Sequence, residues 1–94
     1  MTGDAANAAL LAQLQDRLAA LAPTHLELRD ESARHAGHAH GGGGHFRLEI
    51  VSPAFAGLST LARHRLVYTA LGELLQGPVH ALAIKAMTPE EASL

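Results

Sequence analysis

Two short stretches, His25-Leu26-Glu27-Leu28-Arg29 and Phe46-Arg47-Leu48-Glu49-Ile50, alternate polar and apolar residues. Strict alternation puts every second side chain on one face, so each stretch reads as a half-exposed strand. The segment between them, Asp30 to Gly44, contains His35, His38, His40 and four consecutive glycines. Gly-rich backbone loses much entropy on ordering, so this segment is expected to be a long hairpin connection, mobile when nothing is bound. A chain built around such a hairpin needs something to cover the apolar face of its strands.

Helical patterns supply the cover. Leu10, Leu14, Leu18 and Leu21 recur at spacings of four, four and three, which predicts an amphipathic helix from about Asp4 to Ala22, ended by Pro23. Pro53 and Gly57 mark a turn or short helix. A longer helix is expected from about Ser59 to Gln76, with Ser59 or Thr60 as N-cap. Its apolar stripe is Leu66, Val67, Ala70, Leu71, Leu74 and Leu75, and Gly77-Pro78 is a strong stop. Val79 to Met87 reads as a third strand, buried on much of its surface. Thr88-Pro89-Glu90-Glu91 has the form of a capping box opening a short terminal helix. The order αββααβ predicts an α+β fold, a three-stranded mixed sheet with helices on one face.

Ninety-four residues fit one domain, 1–94, with a core from about residue 10 to 91 and a loop over 31–44. The chain has two Phe, one Tyr and no Trp, so the core must come from Leu, Ile and Val. Cysteine is absent, which excludes disulfides and thiolate chemistry by this chain and suits a reducing cytoplasm. No apolar run is long enough to span a membrane, and the N-terminal residues lack the basic start of a secretory signal. A cytoplasmic protein is the expectation. A net charge of −2 argues against broad electrostatic capture of nucleic acid. The local exception is Arg63-His64-Arg65, a compact basic cluster.

Several stretches resemble the BolA family. They are Glu31-Ser32 followed by His35, His45-Phe46 leading a strand, and Val51-Ser52 with Phe55-Ala56-Gly57. Arg63-His64-Arg65-Leu66-Val67-Tyr68, Val79-His80-Ala81-Leu82 and Thr88-Pro89 complete the set. The resemblance covers roughly Leu10 to Glu91 and implies a fold like the class II KH domain. It also implies partnership with a monothiol glutaredoxin, with a 2Fe–2S cluster bridging the two proteins. In that family the histidine of the Val-His-Ala-Leu segment is a cluster ligand, here His80. A second ligand comes from the first hairpin loop, which here is His35. The loop departs from the family pattern by adding His38 and His40, which widens the set of candidate second ligands.

Imidazole can replace thiolate on one iron of a 2Fe–2S centre. A chain without cysteine needs its remaining ligands from the partner and from glutathione. Taken alone, His80 reads more readily as a satisfied, half-buried core histidine on a strand than as a ligand. The loop histidines alone bind Zn or Ni weakly and adventitiously, since glycines preorganise nothing. His45 and His25 read as structural and exposed positions. Arg63, His64 and Arg65 are candidates for contact with glutaredoxin, glutathione or phosphate.

The rival reading is a nucleic-acid-binding transcriptional regulator using the KH-like fold and the Arg63/Arg65 helix. KH domains grip backbone through a Gly-x-x-Gly loop between their central helices. The corresponding connection here, Phe55 to Thr60, lacks it. An enzyme is not expected, because no nucleophile elbow, ordered triad or His-Glu-x-x-His motif is present. The free protein is expected to be a monomer or a homodimer.

Overall fold

The computed structural model describes residues 2–31, 44–76 and 79–94. Strand β2 (Gly44–Val51) occupies the middle of a three-stranded sheet, between β1 (His25–Asp30) and β3 (Val79–Met87). β1 runs antiparallel to it, as a hairpin must, and β3 runs parallel. A parallel neighbour requires a crossover, and helix α2 (Thr60–Leu71) supplies it. Helix α1 (Thr2–Leu18) precedes the sheet and α3 (Pro89–Ala92) follows it. The mixed sheet and the element order are those expected from the sequence.

The alternating residues sort as the pleat dictates. Phe46, Leu48 and Ile50 of β2 are buried with Leu14 and Leu18 of α1 and with Val67 and Leu71 of α2. Leu26 and Leu28 of β1 and Leu82, Ile84 and Ala86 of β3 flank them. The helices therefore share one face of the sheet. The opposite face carries His25, Glu27, Arg29, Arg47, Glu49 and Lys85.

Two helix ends differ from expectation. The first helix does not run to Ala22. It ends at Leu18, tightens into a 3-10 turn over Ala19–Leu21, and closes with Ala22 left-handed at φ +50°. Ser52, fully buried, explains the tightening. Its hydroxyl donates to the Leu21 carbonyl at 2.6 Å and accepts from the Ala54 N–H at 3.0 Å.

The long helix also stops early. Ser59 caps it as expected, its hydroxyl accepting from the Ala62 N–H at 3.1 Å. Gly72 then adopts φ +56°, and a 3-10 turn carries the chain over Gly72–Gln76. Arg17 of α1 reaches across, donating Nη1 to the Leu71 carbonyl at 3.2 Å and pairing through Nη2 with Glu73. That contact holds the Glu73 carboxyl below its ordinary range. A Cβ at Gly72 would lie 3.4 Å from Arg17 Nη1, so the break and the tie occupy one spot. The Gly77-Pro78 stop lies outside the described residues.

β3 begins and ends where expected, but it is not buried on much of its surface. Ala81, Ala83 and Lys85 are exposed, because no described helix covers the second face of the sheet. No described helix is long and apolar enough to cross a membrane.

Candidate functional site

Topology decides which histidines can meet. The β1–β2 hairpin opens after Asp30 and resumes at Gly44, and β3 enters the sheet at that same end because it runs parallel to β2. The Glu31 N–H donates to the His45 carbonyl at 2.7 Å, which pins the mouth of the connection. Arg47 supports it, with Nε 3.3 Å from a Glu31 carboxylate oxygen. Gly44 pairs with Val79 and His45 with Ala81, so β3 advances two residues while β2 advances one. His80 is the residue inserted at this irregularity. A bulge at a strand end interrupts the ladder locally and is a common way to set one residue apart from its neighbours.

His80 therefore lies on β3 next to Gly44, where the connection that carries His35, His38 and His40 re-enters the sheet, and the other end of that connection, on β1, lies one strand further across. Those three lie outside the described residues, as does the His80 side chain. His45 is half-buried on β2 and paired with Ala81 of β3.

The basic cluster does not act as a unit. Arg63 turns inward, its side chain only 13% exposed. Its Nε donates to the Leu58 carbonyl at 3.0 Å and its Nη1 to the Ala86 carbonyl at 3.1 Å. Two further bonds, 2.6 and 3.0 Å, run to the two carboxylate oxygens of Glu91 in a fork. His64 is half-buried with its ring edge-on to Tyr68, centroids 6.4 Å apart, and Arg65 is exposed. Among the described residues of α2, Arg65 is thus the one permanently charged cation not tied to a carboxylate, with the His64 ring beside it.

Glu91 serves two structures at once. The capping box read from Thr88-Pro89-Glu90-Glu91 is formed, the Thr88 hydroxyl accepting from the Glu91 N–H at 3.2 Å and Glu91 Oε1 accepting from the Thr88 N–H at 3.0 Å. The Arg63 guanidinium and the Thr88 N–H together hold the Glu91 carboxyl at about 2, against an ordinary 4.5. A depressed carboxyl stabilises the fold fully above its unfolded value and loses that contribution as pH falls through the folded one. The Arg63–Glu91 tie should therefore weaken between pH 4.5 and about 2. Glu91→Gln keeps a capping side chain but removes the charge. Urea titrations should find the variant less stable at pH 7, with the gap to the native chain closing by pH 2. A gap that stays constant with pH would show that the ion pair contributes nothing.

The solvent face holds a group that sequence reading treated as simple exposed positions. His25 Nε2 lies 3.3 Å from a Glu49 carboxylate oxygen and 4.0 Å from one of Glu27. His25 and Glu27 share a strand face at i and i+2, and Glu49 is the direct cross-strand partner of Glu27. Only the strand register brings Glu49 to His25, and a connection of such length leaves that register unspecified in sequence.

The sequence profile of the BolA-like protein family matches residues 18–91. The chain belongs to the BolA family. BolA-like protein 1 of Mus musculus is 55% identical over 84 residues, which is 89% of this chain and 58% of that protein. The solution structure of mouse BolA1 superposes with a TM-score of 0.76 at 50% identity, covering 89% of this chain and 68% of the other. The BolA domain of SufE1 from Arabidopsis thaliana gives a TM-score of 0.74 at 44% identity, covering 85% and 92%. This BolA chain spans about half the length of the BolA-like protein 1 relatives it matches. The α+β fold inferred from patterning is thus the BolA fold.

Proposed function

We propose that this BolA-family chain works as the partner of a monothiol glutaredoxin. The two share a bridging 2Fe–2S cluster in iron–sulfur trafficking or iron regulation. His80 is one ligand, and a histidine of the 31–44 loop, His35 by its family position, is the second. The observation that carries this reading is topological. The histidine-bearing connection leaves and re-enters the sheet at the end where His80 opens β3.

The donor set is consistent with it. This chain offers imidazole and no thiolate, which suits one iron of a two-iron centre and leaves the other ligands to the partner and its glutathione. An Arabidopsis protein in which a BolA domain shares a chain with SufE-like sequence is in keeping with an iron–sulfur context. The nucleic-acid alternative leans on Arg63 and Arg65, and Arg63 is neutralised by Glu91.

The test is to mix the chain with a monothiol glutaredoxin, iron, sulfide and glutathione. Absorption and circular dichroism should then report a mixed complex distinct from the glutaredoxin homodimer. A spectrum equal to that of glutaredoxin alone would sink the proposal. Because His38 and His40 lie within five residues of His35, His35→Ala should perturb the spectrum less than His35→Ala/His38→Ala/His40→Ala. Complete loss with His35→Ala alone would make His35 the sole loop ligand.

A further inference from the structure

The exposed face of the sheet carries a second candidate centre, four residues along the strands from the end where β3 enters the sheet. We propose that His25, Glu27 and Glu49 bind one divalent transition-metal cation of the Zn2+ class. One ligating atom from each of the three lies within 4.8 Å of the others. All three sit on β1 and β2, where backbone pairing fixes their positions: Glu27 opposite Glu49, and His25 opposite Val51.

Two features make this more than a solvated cluster of charge. First, Glu27 and Glu49 are directly opposed, and like charges facing each other across a strand pair destabilise it. The Arg29 Nε takes one Glu27 oxygen, Oε2, at 2.7 Å, while Oε1 is left facing His25. Lys85 is the cross-strand neighbour of Glu49 on the other side, but no ion pair joins them among the described residues. A cation among the three groups therefore meets negative charge that neighbouring basic residues only partly offset.

Second, the donor set has a nitrogen in it. Two carboxylates alone would suit Mg2+ or Ca2+, whereas an added imidazole shifts preference toward Zn2+ and its neighbours. Zn–N and Zn–O bonds of about 2.0–2.2 Å need the donor atoms slightly closer than they stand, within reach of small rotations of two Glu side chains. The side chains are 37–51% exposed, which leaves the remaining coordination positions to water.

This centre is independent of the glutaredoxin reading. The Glu49–Lys85 row is four residues along the strands from the His45–Ala81 row, about 13 Å at strand rise. The loop histidines must be separated from it experimentally, because they too can take Zn2+. The chain carrying His35→Ala/His38→Ala/His40→Ala is therefore titrated with zinc chloride at neutral pH while NMR follows the His25 imidazole. The His25 signals should shift and saturate, and Glu49→Gln or Glu27→Gln in the same background should weaken the affinity about tenfold or more. Magnesium chloride should leave the signals in place. The proposal is overturned if His25 does not respond to millimolar zinc. Unchanged affinity in Glu49→Gln, or an equal response to magnesium, would overturn it too.

Discussion

His80→Ala should abolish the spectrum of the mixed complex with glutaredoxin while leaving the chain folded. The mechanism is loss of a ligand from a rigid element. His80 belongs to β3 and is flanked by residues paired with β2, Val79 with Gly44 and Ala81 with His45. A loop ligand has neighbours that can replace it, but no other described histidine stands on β3. The fold should survive because β3 packs against the core through Leu82, Ile84 and Ala86. Far-ultraviolet circular dichroism and a urea midpoint close to that of the native chain would establish that. An unchanged mixed-complex spectrum in a folded His80→Ala protein would remove His80 from the ligand set. His45→Ala is the natural control. It is adjacent in the ladder and its carbonyl, which a substitution retains, holds Glu31. His45→Ala should therefore preserve most of the spectrum.

The parts of the fold that were legible in the sequence are those set by local periodicity. The Leu10, Leu14, Leu18 and Leu21 spacing marks one helix face, and Leu14 and Leu18 are fully buried. Alternation gave both hairpin strands, and Thr88-Pro89-Glu90-Glu91 gave α3 with its capping box. The two helix ends that differ share a cause, since each is decided by a residue distant in sequence. Ala22 turns left-handed next to a 3-10 turn that Ser52 holds from 31 residues away. Gly72 interrupts a stripe that continues through Leu74 and Leu75, and Arg17 of α1 takes the carbonyl that the break leaves open. Alanine misled the reading of β3, because Ala81 and Ala83 are apolar in composition but small enough to stand in water.

The candidate sites follow the same division. The strand position of His80 was readable from its surroundings. The pairing of Arg63 with Glu91, 28 residues apart, was not, and it changes the meaning of the basic cluster. His25 looked like an exposed strand residue until the register placed Glu49 beside it.

The largest effect on stability should come from Phe55→Ala, at about 3–5 kcal/mol. A domain of this length has roughly 5–15 kcal/mol in total, so the variant should be partly unfolded before denaturant is added or close to it. Phe55 is the largest fully buried side chain and stands in the 3-10 turn, Pro53–Phe55, that leads from β2 toward α2. Its ring belongs to the same core cluster as Leu48 and Ile50 of β2 and Val67 and Leu71 of α2. The turn itself is fixed by Ser52, whose hydroxyl caps it, and by the Leu58 N–H bonded to the Phe55 carbonyl at 3.1 Å. Neighbours so constrained cannot collapse into the void, and the cost of a cavity rises with the volume left unfilled. The composition sharpens the point: Phe46 is the one other Phe, and Tyr68 is 44% exposed and cannot swing in to replace the ring. Phe55→Leu should retain most of the stability, since it fills much of the space with an apolar side chain. Tyr68→Ala, on the exposed face of α2, should stay within about 0.5 kcal/mol of the native chain. Urea unfolding of the three variants measures the ranking directly. If Phe55→Ala unfolds with a midpoint like that of Tyr68→Ala, the junction between β2 and α2 is not the part of the core that holds this sheet and its helices together.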